Sequence, residues 1–293
     1  MRHFLFFFLC FFPLAAAALT LSDADGKTLT VHAPAQRIIS LAPHFTDMLQ
    51  AMGAGKQIVA VSDDHDSRGR YTRSLSGYPL VGDAAALNYE RIVAYKPDAI
   101  IAWGSGTPRA WIEQLRHLGL PVVVLEARSL QEIGGQLGLL GRLTGHEAEA
   151  AKQQEAFAKA LQGLQGHAAG PRLRYFYQIW SQPLYSLGRQ HLLSQALALC
   201  GADNIVPTGP VMAPLINPEF VFKADPDVIF FGKVDEAASR SYWSRFSQLK
   251  AVRQQHLLAV DDRRLTRPGP DMLAAVAPLC AHLSGWRTDA SRK

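Results

Sequence analysis

Short apolar runs bounded by Gly, Pro or polar residues alternate along the chain with stretches whose apolar positions recur every three or four residues. The first pattern predicts buried strands, and the second predicts helices that bury one face. In the first half the strands fall at residues 38–42, 58–61, 99–103 and 122–125, after a short strand pair around residues 19–31. An apolar helix opens at Thr46 and runs to Met52, where Gly53 closes it. The second half repeats this order, with a strand at 174–179, a helix at 192–200 stopped by Gly201 and Ala202, and an extended piece at Ile205 and Val206. Strands that alternate with helices predict α/β lobes with parallel sheets. Ligands bind such sheets at the loops that follow the carboxyl ends of the strands.

One segment occurs twice. NYERIVAYKPDAI at 88–100 aligns without a gap on NPEFVFKADPDVI at 217–229. In each copy Asn88 or Asn217 can accept from the first free amides of a short helix, and Glu90 or Glu219 sits two residues later, near the positive end of the helix dipole. Pro97 or Pro226 then stops the helix before an apolar strand. A unit used twice predicts two similar lobes, and the cleft between lobes is the place for a ligand.

Between the halves, Ser129 with Glu132 and Thr144 with Glu147 have capping-box spacing and predict two helices. The second, at 1.5 Å per residue over about 20 residues, would span about 30 Å, the width of a domain. It ends at Gly166 to Pro171. A single helix of that length is a stiff connector that lets lobes rock without swinging wide. The lobes are then residues 19–143 and 169–285, with the connecting helix at 144–168 and a tail at 286–293.

Residues 1–18 carry Arg2, an apolar run from Phe4 to Phe12, Pro13, and the small residues Ala15 to Ala18. This predicts a secretory signal peptide cleaved near Ala18 and too short to span a membrane. A lipoprotein reading would need cleavage at Cys10, behind almost no n-region. Export leaves Cys200 and Cys280, an even pair bound for an oxidising compartment, so a disulfide is expected, with two buried free cysteines as the alternative. The chain is 293 residues long and 48% apolar, enough to fill two ordinary domains. Its formal charge of +5 is scattered, with a cluster only at Arg263, Arg264 and Arg267, which gives nucleic-acid binding little support. No Gly-x-Ser-x-Gly elbow, phosphate-binding glycine loop or His-Glu-x-x-His helix occurs in the sequence, so an exported enzyme is the lesser alternative and no cofactor is expected.

Several motifs appear in order at compatible spacing: the strand from Arg37 to Pro43, the Asn88-to-Asp98 unit, Trp103-Gly104, the helix end from Leu199 to Ile205, the Pro218-to-Asp227 unit, and Arg267-Pro268 through to Cys280. Together they resemble the helical-backbone, class III periplasmic binding proteins of ABC importers, which serve cobalamin, haem and iron–siderophores, and they lie nearest its cobalamin binders. The resemblance runs from about Arg37 to Leu283. It implies two Rossmann-like lobes joined by one long helix. It also implies a periplasmic monomer that delivers a corrinoid to a permease dimer in the inner membrane, with a ferric siderophore or haem as the alternative cargo. Glu90 and Glu219 match the glutamates that pair with permease arginines in that family. The plainer reading is that each only complements its helix dipole, worth about 0.3–1 kcal/mol.

At the ligand face the chain departs from the cobalamin pattern. Asp64, Ala85 and Ala213 stand where that family sets aromatic rings against the corrin. Trp103, Tyr185 and Arg267 stand where contacts are expected, and Tyr177, Trp180 and Arg264 could add others. Asp83 replaces the tyrosine that haem binders carry after the Val81-Gly82 position. Asp63, Asp64, His65 and Asp66 have the composition of a metal chelator, and His44 follows the preceding strand. Consecutive loop residues cannot all point at one ion, so a hydrated acidic loop is the favoured reading, with His65 as an axial ligand the alternative. The expectation is a large chelate held between Trp103 and Tyr185 from opposite lobes, with Arg267 on its polar rim. Room left at Ala85 and Ala213 implies weaker cobalamin binding or a bulkier chelate.

Overall fold

A computed structural model of the chain describes residues 17–62, 77–83 and 85–290. Of the leader expected at 1–18, residues 1–16 with Cys10 lie outside the described residues, as does the stretch from Asp63 to Asp66 with Asp64 and His65, whereas Ala17 and Ala18 belong to the first strand. The fold opens with an antiparallel pair, β1 (Ala17–Ser22) and β2 (Thr28–Ala33). The first lobe then runs β3 (Ile38–Ser40), α1 (Pro43–Ala51), β4 (Ile58–Val61), α2 (Tyr89–Ala94), β5 (Ala99–Trp103), α3 (Arg109–His117) and β6 (Val122–Leu125). Its sheet has the order β4-β3-β5-β6, with every pair parallel. Both faces are covered, which is why these strands read as continuous apolar runs.

After α4 (Leu130–Thr144) and α5 (Glu147–Gln165), the second lobe runs β7 (Leu173–Ser181), β8 (Leu184–Ser186), α6 (Leu192–Leu199), β9 (Ala202–Asn204), α7 (Pro218–Ala224), β10 (Val228–Gly232), α8 (Glu236–Ser244), α9 (Lys250–Arg253), β11 (Leu257–Val260), α10 (Asp262–Thr266) and α11 (Pro270–Ala290). Here β9, β7, β10 and β11 are parallel neighbours in the same spatial order as in the first sheet. The added β8 pairs antiparallel with the far half of β7.

The repeated segment forms the same structure in both lobes. Asn88 Oδ1 accepts from the Arg91 amide at 2.9 Å, and Asn217 Oδ1 accepts from the Glu219 amide at 3.0 Å. Lys96 and Asp225, at equivalent positions just before the prolines, both have φ of 44°. The Asp98 carboxylate accepts from the Arg37 amide at 2.9 Å and the Asp227 carboxylate accepts from the Arg174 amide at 2.7 Å, so each unit ties its strand to the first strand of its own sheet.

Helix α5 has 19 residues and packs on α4 on one side and on α6 and α11 on the other. Apolar side chains from these helices, among them Leu137, Phe157, Leu164, Leu197 and Leu283, belong to a core cluster shared by the two halves. Among the described residues no helix is long and apolar enough to cross a membrane. Cys200, at the end of α6, is bonded to Cys280 in α11, so these are not free cysteines.

Three local expectations need correction. Thr144 does not cap α5; it is the last residue of α4, and its hydroxyl donates back to the Leu140 carbonyl at 2.8 Å. His146 takes the cap position of α5 without a side-chain bond to the helix amides, its Nδ1 lying 2.9 Å from the Thr144 carbonyl instead, whereas the Ser129 and Glu132 pair does cap α4. Helix α1 begins at Pro43 rather than Thr46, because proline at the first helical position gives up only an amide that would lack an intrahelical partner. The Thr46 hydroxyl instead donates to Ser40 Oγ at 2.9 Å. The strand after Gly201 is β9 at Ala202–Asn204, ahead of Ile205 and Val206.

Candidate functional site

The carboxyl ends of β5 and β6 open on a cleft whose other wall comes from the second lobe. A cavity of about 430 Å³ is lined there by Ser105, Glu126 and Arg128 from the first lobe and by Gln190, Leu192 and Met212 from the second. That volume lies within the roughly 300–1,000 Å³ of small-molecule sites. Glu126 follows β6 directly and organises the turn after β5. Its carboxylate accepts from the Ser105 amide at 2.6 Å and from Trp103 Nε1 at 3.4 Å. The Trp103 amide donates to Thr107 Oγ1 at 3.0 Å. The indole lies over Gly106, where a Cβ would sit 1.8 Å from the ring, so only glycine fits beneath it.

A smaller cavity of about 170 Å³ borders the same turn, and Trp103, His44, Ser62, Asp83 and Arg267 line it. His44 lies in the first turn of α1 and is 3% exposed. Its ring meets Trp103 edge-on at 5.0 Å and packs against Phe45 at 4.1 Å. Gly269, from the second lobe, packs against His44 and Met48. Neither ring nitrogen of His44 has a hydrogen-bond partner among the described residues. Burial, with the Arg267 charge nearby, holds the imidazole down at about 3.

Among the residues expected at the ligand face, Trp103 and Arg267 come together at the small cavity. Tyr185 is 36% exposed on β8 and lines neither cavity. Its backbone pairs with Trp180 across the hairpin and forms an isolated antiparallel bridge to Leu215. Ala213 is half-buried beside Met212, and Ala85 is exposed in a turn where Asp83 Oδ1 accepts from the Ala85 amide at 2.8 Å. Tyr177 is not available to a ligand, because β7 buries it in the core to 1% exposure. Trp180 is exposed and donates from Nε1 to the Gln182 carbonyl at 3.0 Å, and Arg264 is exposed. No group of three metal-ligating side chains is found among the described residues. Glu126, Gln190 and Met212 were not anticipated, although the position of Glu126 just beyond an apolar strand was a usable signal.

Residues 38–263 match the periplasmic binding protein family. The chain belongs to that family. Vitamin B12-binding proteins of Pectobacterium carotovorum subsp. carotovorum and Vibrio cholerae serotype O1 are 34% and 33% identical to this periplasmic binding protein; each alignment covers 85% of the chain, with 88% and 90% of the relatives. The crystal structure of the periplasmic vitamin B12 binding protein of Vibrio cholerae superposes with a TM-score of 0.77 at 33% identity, covering 85% of this chain and 97% of that one. The periplasmic haem-binding protein BhuT superposes with a TM-score of 0.73 at 19% identity over 85% of this chain and 98% of its own, a likeness of fold alone. In this periplasmic binding protein, Glu90 and Glu219 are both exposed, each in the first turn of the equivalent short helix of its lobe.

Proposed function

We propose that the protein is the substrate-binding component of an ABC importer, capturing a corrinoid in the interlobe cleft and delivering it to the permease. The observation that carries this reading is the cleft itself. It is built from strand ends of one lobe and from Met212 and its neighbours of the other, with Trp103 fixed at its edge by Glu126 and Gly106. The vitamin B12-binding relatives support the cargo class. The protein works as a periplasmic monomer once the leader is removed. Its role is capture and release, so it is not an enzyme and needs no cofactor of its own. Glu90 and Glu219, one on each repeated unit, suit a permease built from two copies of one subunit, because a pseudo-twofold pair of charges meets a true twofold pair of partners.

Ala85 and Ala213 supply no ring to a macrocycle, and Arg263, Arg264 and Arg267 cluster at the end of the second lobe. These two observations favour a second reading, an anionic ferric siderophore held by charge. Titration of the mature protein with cyanocobalamin, dicyanocobinamide, haemin and a ferric siderophore, followed by tryptophan fluorescence, separates the readings. A stacked corrinoid should lose about 1 kcal/mol, or about fivefold in affinity, on Trp103→Ala. A siderophore should respond to loss of the arginines instead. Absence of quenching by either corrinoid at micromolar concentration overturns the corrinoid reading.

A further inference from the structure

We infer that the small cavity beside Trp103 is a carboxamide-reading subsite in which His44 determines specificity, an inference that rests on the corrinoid reading above. At about 170 Å³ the cavity is below the roughly 300 Å³ of a site that encloses a whole ligand, so it has room for a side arm and not for a macrocycle. His44, 3% exposed, lines it with both ring nitrogens unpartnered among the described residues. A buried polar group without a partner destabilises the unliganded fold, and a bound group that supplies the missing hydrogen bond removes that penalty.

The chemistry of the lining selects the arm. Arg267 brings a cation from the second lobe and Asp83 an anion from the first. Burial keeps the His44 imidazole neutral at physiological pH, with one N–H to donate and one lone pair to accept. A neutral carboxamide, which presents both a carbonyl and an N–H, can accept from and donate to that imidazole, whereas a carboxylate only accepts and an ammonium only donates. Corrinoids carry such amides around the rim of the macrocycle, whereas haem carries carboxylates. Metal ligation by His44 is disfavoured, because a ligating imidazole ordinarily has its second nitrogen held by a carboxylate or carbonyl and His44 has no such partner.

Calorimetric titration of the mature wild type, His44→Leu and His44→Gln with dicyanocobinamide, whose rim is carboxamide, and with cobyrinic acid, whose rim is carboxylate, tests this. The wild type should prefer dicyanocobinamide. His44→Leu should lose about tenfold for it, and His44→Gln, which keeps a donor and an acceptor, should stay within about threefold of wild type. The unliganded His44→Leu protein should melt at or above the wild-type temperature, which a merely structural histidine would not allow. Equal dicyanocobinamide affinity in wild type and His44→Leu overturns the inference while leaving the corrinoid reading intact. So does a wild type that binds cobyrinic acid as tightly, or a His44→Leu protein that melts well below wild type and loses both ligands alike. A wild type that binds neither corrinoid overturns the corrinoid reading and this inference with it.

Discussion

Removing the Cys200–Cys280 bridge should weaken both the second lobe and the ligand site. The bridge closes a loop with a sequence separation of 80. Confining a loop of that length lowers the entropy of the unfolded chain enough to contribute about 4.5 kcal/mol at 25 °C in the chain-entropy treatment. The Cα–Cα distance of 5.5 Å is within the usual range for a bridge. Both cysteines are fully buried, and Cys200→Ala/Cys280→Ala also removes their packing. The double variant should therefore lose about 3–5 kcal/mol in urea unfolding, with a larger m-value because the uncrosslinked unfolded chain is more expanded. Helix α11 begins at Pro270, just beyond Arg267, and packs on α5, α6 and α10. Loosening α11 from α6 should let Arg267 drift from the small cavity, so corrinoid affinity should fall in the same variant. A stability loss under about 1 kcal/mol would refute the argument, as would two free thiols found by mass spectrometry of the non-reduced wild type.

Glu90→Ala/Glu219→Ala should weaken association with the permease while sparing corrinoid affinity, and the defect should be largest at low salt because rim charges act on encounter. Association with reconstituted permease at low and high salt checks this, and wild-type docking at low salt would refute it. Acid should destabilise the fold through two histidines. The His44 imidazole is held at about 3 by burial and the Arg267 charge, and His191 at about 4 by burial, while its Nδ1 accepts from the Leu193 amide. Both folded values lie below the ordinary 6.5, so the unfolded chain binds protons first. Stability is then complete above about pH 6.5 and is lost progressively as pH falls towards 4 and 3. At pH 5 the His44 share should be about 2 kcal/mol. Urea midpoints at pH 7 and pH 5 should fall further in wild type than in His44→Leu, and equal pH dependence would refute the assignment.

What the sequence disclosed was mostly local chemistry. The Asn, Glu, Pro and Asp of the repeated segment each act within a few residues or on the adjoining strand, and both lobes fold that segment alike, down to the left-handed Lys96 and Asp225. The errors came where one local signal had two uses. Thr144 has an N-cap's spacing but serves as the end of α4, since a threonine hydroxyl can equally bond back to the carbonyl four residues earlier. Pro43 reads as a breaker after a strand and as a first helical residue, and tertiary packing selects the second. The expected pairing of Tyr185 with Trp103 is a separate matter: Tyr185 sits on the β8 hairpin, which has no counterpart among the described residues of the first lobe's sheet, and it lines neither of the cavities that Trp103 and its turn border.

His44 was harder to read for a different reason: its environment is assembled from distant parts of the chain. Phe45 is adjacent, but Trp103 arrives from β5, and Gly269 and Arg267 arrive from beyond α10. Other buried polar side chains show what a purely structural role looks like here. Tyr175 donates to Ser194, which also accepts from Asn204; Gln178 donates to Ser239 and accepts from Trp243; Thr46 donates to Ser40. Each of these pairs links neighbouring elements and completes its own hydrogen bonds. The Tyr177 hydroxyl and the side-chain oxygens of Gln57 and Gln136 also lack partners among the described residues, but none of them lines either cavity, whereas His44 lacks partners at both ring nitrogens and lines a cavity shared by both lobes, with Asp83 and Arg267 on the same lining. Folded chains depart from full satisfaction chiefly where function asks for it, so an incomplete bond at the lobe interface is better explained by a ligand that completes it than by a packing fault.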